Sequence, residues 1–248
     1  MSSQYDEIGS GYGQVRREDP RIREVIHASI GDASSVVNIG AGAGSYEPAD
    51  REVTAVEPSA EMISQRPPGL APAVQAAAEA LPFEDDSFEA AMAVLTVHHW
   101  SDARKGLDEM IRVASRRILI VAFEPDPLIE LWIAADYFPA IQELKSEPGA
   151  DSREIVSMLP GSEAEVIPVP RDCSDLFFAA LWGHPEMFMD DGIVGPMWVW
   201  QEMSEIAREA GRQRLAADLE NGEWDRKYGQ LRQLDELDVG LRLVKLEL

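Results

Sequence analysis

The stretch VVNIGAGAG, from Val36 to Gly44, offers the most chemistry per residue. Gly40, Gly42 and Gly44 directly follow an apolar run, so side chains are missing where a strand must turn. The backbone there can approach a ligand closely. A dinucleotide fingerprint would want glycine or alanine at position 45 and a helix opening on a pyrophosphate. Ser45 stands there instead, followed by SYEPADRE with Pro48 inside it. The tighter GxGxG spacing suits a ligand with no pyrophosphate. Glu57, in TAVEPS at the end of the next apolar run, can accept hydrogen bonds from the 2′- and 3′-hydroxyls of a ribose. NAD and S-adenosylmethionine share that requirement.

Further along, LTVHHW places His98 and His99 after another apolar run. His98 is a candidate general base, because ligands of open α/β sheets bind beyond the C-terminal ends of the strands. Its plainer role is to cap the next helix or pack beside a ligand. Adjacent residues at a strand end point to opposite sides, so the two histidines are not expected to share a metal ion. With four histidines in the chain and no spaced ligand cluster, no metal site is expected. Glu124, the second catalytic candidate, and Asp126 follow a later run at the same sheet edge; their plainer reading is as solvated carboxylates. Cys173, the single cysteine, excludes an internal disulfide framework and reads as a small buried residue.

Positioning these groups requires strands near Ser35 to Ile39, Glu52 to Val56, Ala73 to Ala76, Phe88 to Leu95 and Ile118 to Phe123. Helices alternate with them. Asp19-Pro20 opens one that Gly31 stops, and Ser59 and Ser101 are expected N-caps of two more. The second of these should carry Leu107, Met110, Ile111 and Val113 on one face. The pattern predicts a doubly wound α/β sheet. Beyond Glu124 the segment looks mostly helical, with a sixth strand near 165–170 and a final strand over 240–248. Five of the six tryptophans, Trp132, Trp182, Trp198, Trp200 and Trp224, fall in this half. They are expected chiefly as core, some as pocket lining.

The motifs VVNIGAGAG, TAVEPS, AEALPFEDDSFE, LTVHHWSD and LDEMIRV, in this order between Ser35 and Phe123, together resemble the class I S-adenosylmethionine-dependent methyltransferases of the UbiE and type 11 kind. The resemblance implies a Rossmann-like seven-stranded methyltransferase sheet, with a helical cap inserted in the C-terminal half. It implies that Gly40, Ala41 and Gly42, with Gly44 and Leu95, line the cofactor. Glu57 would take the ribose, Pro58 and Met62 would flank the adenine, and Ala78 with Glu79 would meet its polar edge. Tyr12 and Arg16, in GYGQVRREDP, would close over it. Three departures stand out. Asn38 replaces the acid that helps to hold the methionine ammonium, Ala77 replaces an aspartate, and Arg112-Val113 enters the fifth strand without the usual Pro-Gly-Gly turn.

The expected organisation is a lid and helix over 1–34, a cofactor-binding core over 35–126, a substrate cap over 127–239 and the last core strand. The expected activity is methylation of a small molecule on oxygen, nitrogen or carbon, with S-adenosylhomocysteine as product. An S-adenosylmethionine-binding protein of the same fold, with a non-methylating or regulatory role, is the alternative. An NAD-dependent oxidoreductase is disfavoured by Ser45 and by the residues from Ala78 to Trp100. The 248 residues carry 22 Lys+Arg against 45 Asp+Glu, a net charge of −23. Such a surface repels phosphate backbones and anionic lipid, so neither nucleic acid nor membrane is an expected partner. The N-terminus has no basic leader or apolar run, no stretch is long enough to span a membrane, and the cytoplasm is the expected location. The acceptor and the oligomeric state are not read from the sequence.

Overall fold

A computed structural model describes residues 17–143 and 150–248. Asp19 caps helix α1 (Pro20–Ile30), its carboxylate accepting the Arg21 N–H at 3.0 Å, and Gly31 ends it at φ 64°. Ile22, Ile26 and Ile30 form its buried stripe. Strands β1 (Ser35–Ile39), β2 (Glu52–Val56), β3 (Ala73–Val74), β4 (Phe88–Val94) and β5 (Ala114–Phe123) pair in parallel. With β6 (Glu163–Val166) and β9 (Leu241–Glu247) they form a seven-stranded sheet of order β3-β2-β1-β4-β5-β9-β6, in which β9 runs antiparallel to its neighbours. This is the doubly wound α/β architecture. The order reverses beside β1, which pairs with β2 on one side and β4 on the other. Ligands of open sheets bind at that switch point.

Successive residues of β1 face opposite layers. Val36 joins the core shared with α1 and the C-terminal half, while Val37 and Ile39 join the core under helix α3 (Ala103–Val113). Ala103, Leu107, Met110 and Val113 are the buried stripe of α3; Ile111, expected among them, is 37% exposed at its edge. The helix α2 (Ala60–Ser64) is capped by Ser59 as expected, its hydroxyl accepting from Met62. The cap of α3 is Asp102, one residue later than expected. The reason is that the Ser101 hydroxyl donates to Glu79 at 2.8 Å.

The sheet departs from expectation at three strands. β3 is only two residues long. α3 passes straight into β5 at Ala114, four residues before the expected start, so the loop before this strand is absent altogether. The expected strand near 165–170 is two strands in different sheets: β6 ends at Val166, and β7 (Val169–Pro170) pairs with β8 (Glu236–Leu237). Pro168 and Pro170 lack the N–H that a continuous ladder would need.

The C-terminal half has one long helix, α8 (Glu205–Glu220), among short ones and 3-10 turns. The shorter helices are α4 (Pro125–Glu130), α5 (Ser152–Met158), α6 (Asp191–Val194), α7 (Trp198–Glu202) and α9 (Glu223–Tyr228). Trp132, Trp182, Trp200 and Trp224 are buried, and Trp198 is half-buried. The Trp132 ring meets Tyr137, Phe188 and Trp224 edge-on, with centroids 5.7, 5.7 and 5.3 Å away. Its indole N–H donates to the Trp182 carbonyl at 2.8 Å, and that of Trp182 to the Val169 carbonyl at 3.1 Å. No helix among the described residues is long and apolar enough to cross a membrane.

Candidate cofactor and active site

The glycine loop is anchored on β2: the N–H groups of Gly40 and Ala41 both donate to the Val56 carbonyl at 2.9 Å. All three glycines have positive φ, at 69°, 50° and 100°. They differ in what a side chain would meet. A Cβ on Gly40 would lie 2.0 Å from Thr96 Oγ1, and one on Gly44 would lie 2.3 Å from Leu70 Cδ1 and 3.1 Å from Arg66 Nη1. On Gly42 the nearest atom is Met62 Cε at 3.4 Å. Gly40 and Gly44 are therefore small because the protein packs against them. Gly42 leaves room.

Glu57 stands just past β2, with a buried carboxylate. Oε2 accepts the Gly42 N–H and Oε1 the Ser59 N–H, each at 2.9 Å. These two bonds, on different oxygens, fix the orientation of the carboxylate. Beside it, α2 brings the buried Met62 toward Gly42, and Pro58 is exposed. Ala78 is buried, whereas Glu79 is turned to the segment after β4 and accepts from Ser101 Oγ and the Asp102 N–H.

Asn38, at the end of β1, is also buried, and its Nδ2 donates to Glu47 Oε1 at 3.1 Å. The other Glu47 oxygen pairs with Arg66 Nη2 at 2.8 Å; these side chains are 3% and 6% exposed. Arg66 also donates to the carbonyls of Ala71 and Gly42, at 3.0 and 3.4 Å. Tyr46, at φ 64°, is buried alongside, and its hydroxyl donates to Asp175 at 2.8 Å. The loop is thereby joined to the C-terminal half. Asp19 makes a second such link, accepting the Ser174 N–H at 3.0 Å. Burial opposes its charge, but the Arg21 guanidinium and these N–H groups hold the carboxyl well below the usual carboxylate range.

Beyond β4 the backbone of Leu95 sits at φ 51°, a costly conformation for a non-glycine residue, and its N–H donates to Val121. His98 and His99 then share a 3-10 turn, Val97–His99, so their rings lie together with centroids 3.8 Å apart, contrary to the opposed directions expected of an extended strand. Burial pushes His99 down to about 4, which keeps that imidazole neutral near pH 7. Glu124 is 2.6 Å from Arg242, which also pairs with Asp238, and Asp126 pairs with Arg153. Cys173 is buried, its thiol pushed up to about 12 by burial. No group of three or more metal-ligating side chains occurs among the described residues. Tyr12 and Arg16 lie outside those residues.

The structure thus brings together Gly40, Gly42, Glu57 and Met62, with Asn38 adjoining. It holds Glu79 and Glu124 in contacts of their own. Tyr46, Glu47 and Arg66 are not foreseen from the sequence. The missing acid at Asn38 is the available signal, since it invites a search for a carboxylate nearby.

Comparisons with known proteins identify the family. The family model described as a methyltransferase domain, Methyltransf_11, matches residues 37–120. A solved structure provisionally described as a methyltransferase from an antibiotic biosynthesis pathway of Anabaena variabilis is 32% identical, with a TM-score of 0.85, and the match covers 95% of this chain and 100% of that one. The chain belongs to the class I S-adenosylmethionine-dependent methyltransferases. S-adenosylmethionine is the cofactor of this family. The uncharacterised methyltransferase YcgJ of Bacillus subtilis is 33% identical over 113 residues, 40% of this methyltransferase and 45% of that relative, so the match spans less than half of the curated protein. The [4+2]-cyclase SpnF, 15% identical with a TM-score of 0.56 over 99% of this chain and 96% of that one, shares the fold alone.

Proposed function

We propose that the protein methylates a small organic acceptor on oxygen, nitrogen or carbon, using S-adenosylmethionine and releasing S-adenosylhomocysteine. The observation that carries this reading is the buried Glu57 carboxylate bound to the N–H of Gly42, the one loop glycine with room before it. The residues present fit the cofactor: Glu57 would hold the ribose, Pro58 and Met62 would flank the adenine, and Gly40, Ala41 and Gly42 would line the methionine end. Asn38 would adjoin that end, Gly44 closes the loop, and Leu95, Ala78 and Glu79 would complete the surround; Tyr12 and Arg16, outside the described residues, are carried over from the family resemblance alone.

The cofactor supplies an electrophilic methyl group on a sulfonium. The protein's share is alignment, since fixing two reactants in attack geometry supplies about 7–11 kcal/mol. His98, at the C-terminal edge of β4, takes a proton from an acceptor that carries one, beside a neutral His99. Glu124, held by Arg242, acts as a fixed negative charge at the same edge. The residues of 127–239 form the acceptor cap. A small organic acceptor is supported by their aromatic content and by the full-length relative's assignment to antibiotic biosynthesis. The cytoplasm is the proposed location, with neither nucleic acid nor membrane as partner.

Saturating S-adenosylhomocysteine is expected to raise the melting temperature, and Glu57→Ala to weaken its binding by about 2 kcal/mol, roughly 30-fold. No shift at millimolar ligand would sink the cofactor reading. Label from methyl-labelled cofactor should enter a compound in a metabolite extract. Binding without any transfer would favour the regulatory alternative, which the neutral Asn38 makes worth testing.

A further inference from the structure

Asn38 is buried at the switch point of the sheet, on the strand that feeds the glycine loop. Glu47 is a carboxylate and can only accept, so the Asn38 amide must turn its Nδ2 toward it, as the 3.1 Å bond requires. The carbonyl oxygen is then fixed as the opposite pole of the amide. A donor hydrogen-bonded to an ionised acceptor also polarises its own carbonyl, making that oxygen a stronger acceptor in a low-dielectric site. Arg66 neutralises Glu47 at 2.8 Å and ties the pair to the Gly42 carbonyl. Because Gly44 has no side chain, Arg66 can lie against the loop; a Cβ there would stand 3.1 Å from its Nη1.

We propose that Glu47 and Arg66 are positioning residues for the methionine end of the cofactor, orienting and polarising the Asn38 amide so that its oxygen accepts the cofactor's ammonium. This rests on the S-adenosylmethionine reading above. The acceptor for the ammonium is then the Asn38 amide oxygen at the strand end, oriented and polarised by Glu47 nine residues along. Asn38, Glu47 and Arg66 together carry no net charge, so burying them leaves no uncompensated ion.

The test compares two probes, S-adenosylhomocysteine and 5′-methylthioadenosine, which keeps the adenosine but lacks the amino-acid end. Glu47→Gln is expected to weaken the first at least tenfold while leaving the second within twofold of wild type. Loss of both alike would mean that the pair merely props up the loop, and would overturn the proposal. Because Glu47→Gln deprives a buried Arg66 of its counter-ion, Asn38→Asp provides a second route. It sets two carboxylates side by side, so it should weaken S-adenosylhomocysteine binding at pH 8, with recovery as falling pH lets the pair share a proton. The double variant Asn38→Asp/Glu47→Gln exchanges amide and carboxylate between the two positions. It keeps the net charge and reverses the hydrogen bond, the new amide donating to the new carboxylate, and should return affinity to within threefold of wild type. A double variant no better than Asn38→Asp overturns the relay. Failure of the wild type to bind either probe would instead bring down the cofactor reading, so the two failures are distinguishable.

Discussion

The rim of the glycine loop and the aromatic layer of the C-terminal half are both buried, but they use burial differently. At the rim the buried groups are polar and, Arg66 Nε apart, held by named partners: Asn38 by Glu47, Glu47 by Arg66, Glu57 by two backbone N–H groups. In the aromatic layer the buried groups are rings held edge to face, with a few indole hydrogen bonds. Removing one partner at the rim leaves a charge or donor stranded in low dielectric, so the rim tolerates few residue types. The aromatic layer asks chiefly for volume and shape, which many sequences provide.

This contrast can be broken or sharpened by substitution. The largest effect is expected from Trp132→Ala, which should cost about 3–5 kcal/mol of stability in a denaturant melt while leaving S-adenosylhomocysteine affinity unchanged wherever the variant is folded. A large affinity loss in the folded variant would mean that the two regions are one functional unit. Next comes pH. His99, pushed down to about 4 from an ordinary 6.5, stays neutral in the folded protein while the unfolded chain takes up a proton. The His99 contribution to stability should therefore be constant above about pH 6.5 and fall by about 3 kcal/mol toward pH 4. His99→Phe should flatten that portion of the curve; an unchanged slope would discount the burial of this ring.

Gly42→Ala should lower S-adenosylhomocysteine affinity about tenfold or more, about 1.4 kcal/mol, because it fills the space before the loop. Gly44→Ala should instead act first on stability, as its Cβ would strike Leu70. A reversed order of effects would reassign which glycine faces the ligand. The smallest change is expected for Trp224→3-benzothienylalanine, which keeps the fused rings and lacks the N–H. The buried indole Nε1 of Trp224 has no hydrogen-bond partner among the described residues, so losing the N–H alone should alter stability by less than about 1 kcal/mol. A drop of several kcal/mol would reveal a polar contact in the aromatic layer and erase much of the contrast.

The same contrast explains what can be read from the sequence. The cofactor rim is built from local signals, a strand followed at once by glycines, then a strand ending in Glu57, and these survive in one dimension. The Ser59 cap and the Asp19-Pro20 start are likewise local. Arg66 reaching back to Glu47 and the loop is a long-range choice that no spacing encodes. Ser101 looks like a cap but is not one, because a distant carboxylate, Glu79, competes for its hydroxyl. The strand near 165–170 splits because two prolines interrupt the ladder, and the opposed directions expected of His98 and His99 assume a strand where the chain makes a turn. Beyond Glu124, buried tryptophans announce a core without saying which faces will meet.

The two borders of the main sheet bear on how the chain behaves in crowded company. β3 offers only two residues, and β6, exposed at all four positions, carries Glu163 and Glu165, the latter paired with Lys245 of β9. A strand that short, or that charged, is a poor template for another chain to zip onto. Stray edge-to-edge polymerisation is thus discouraged by the same strands that end the sheet, and a net charge of −23 adds mutual repulsion between copies.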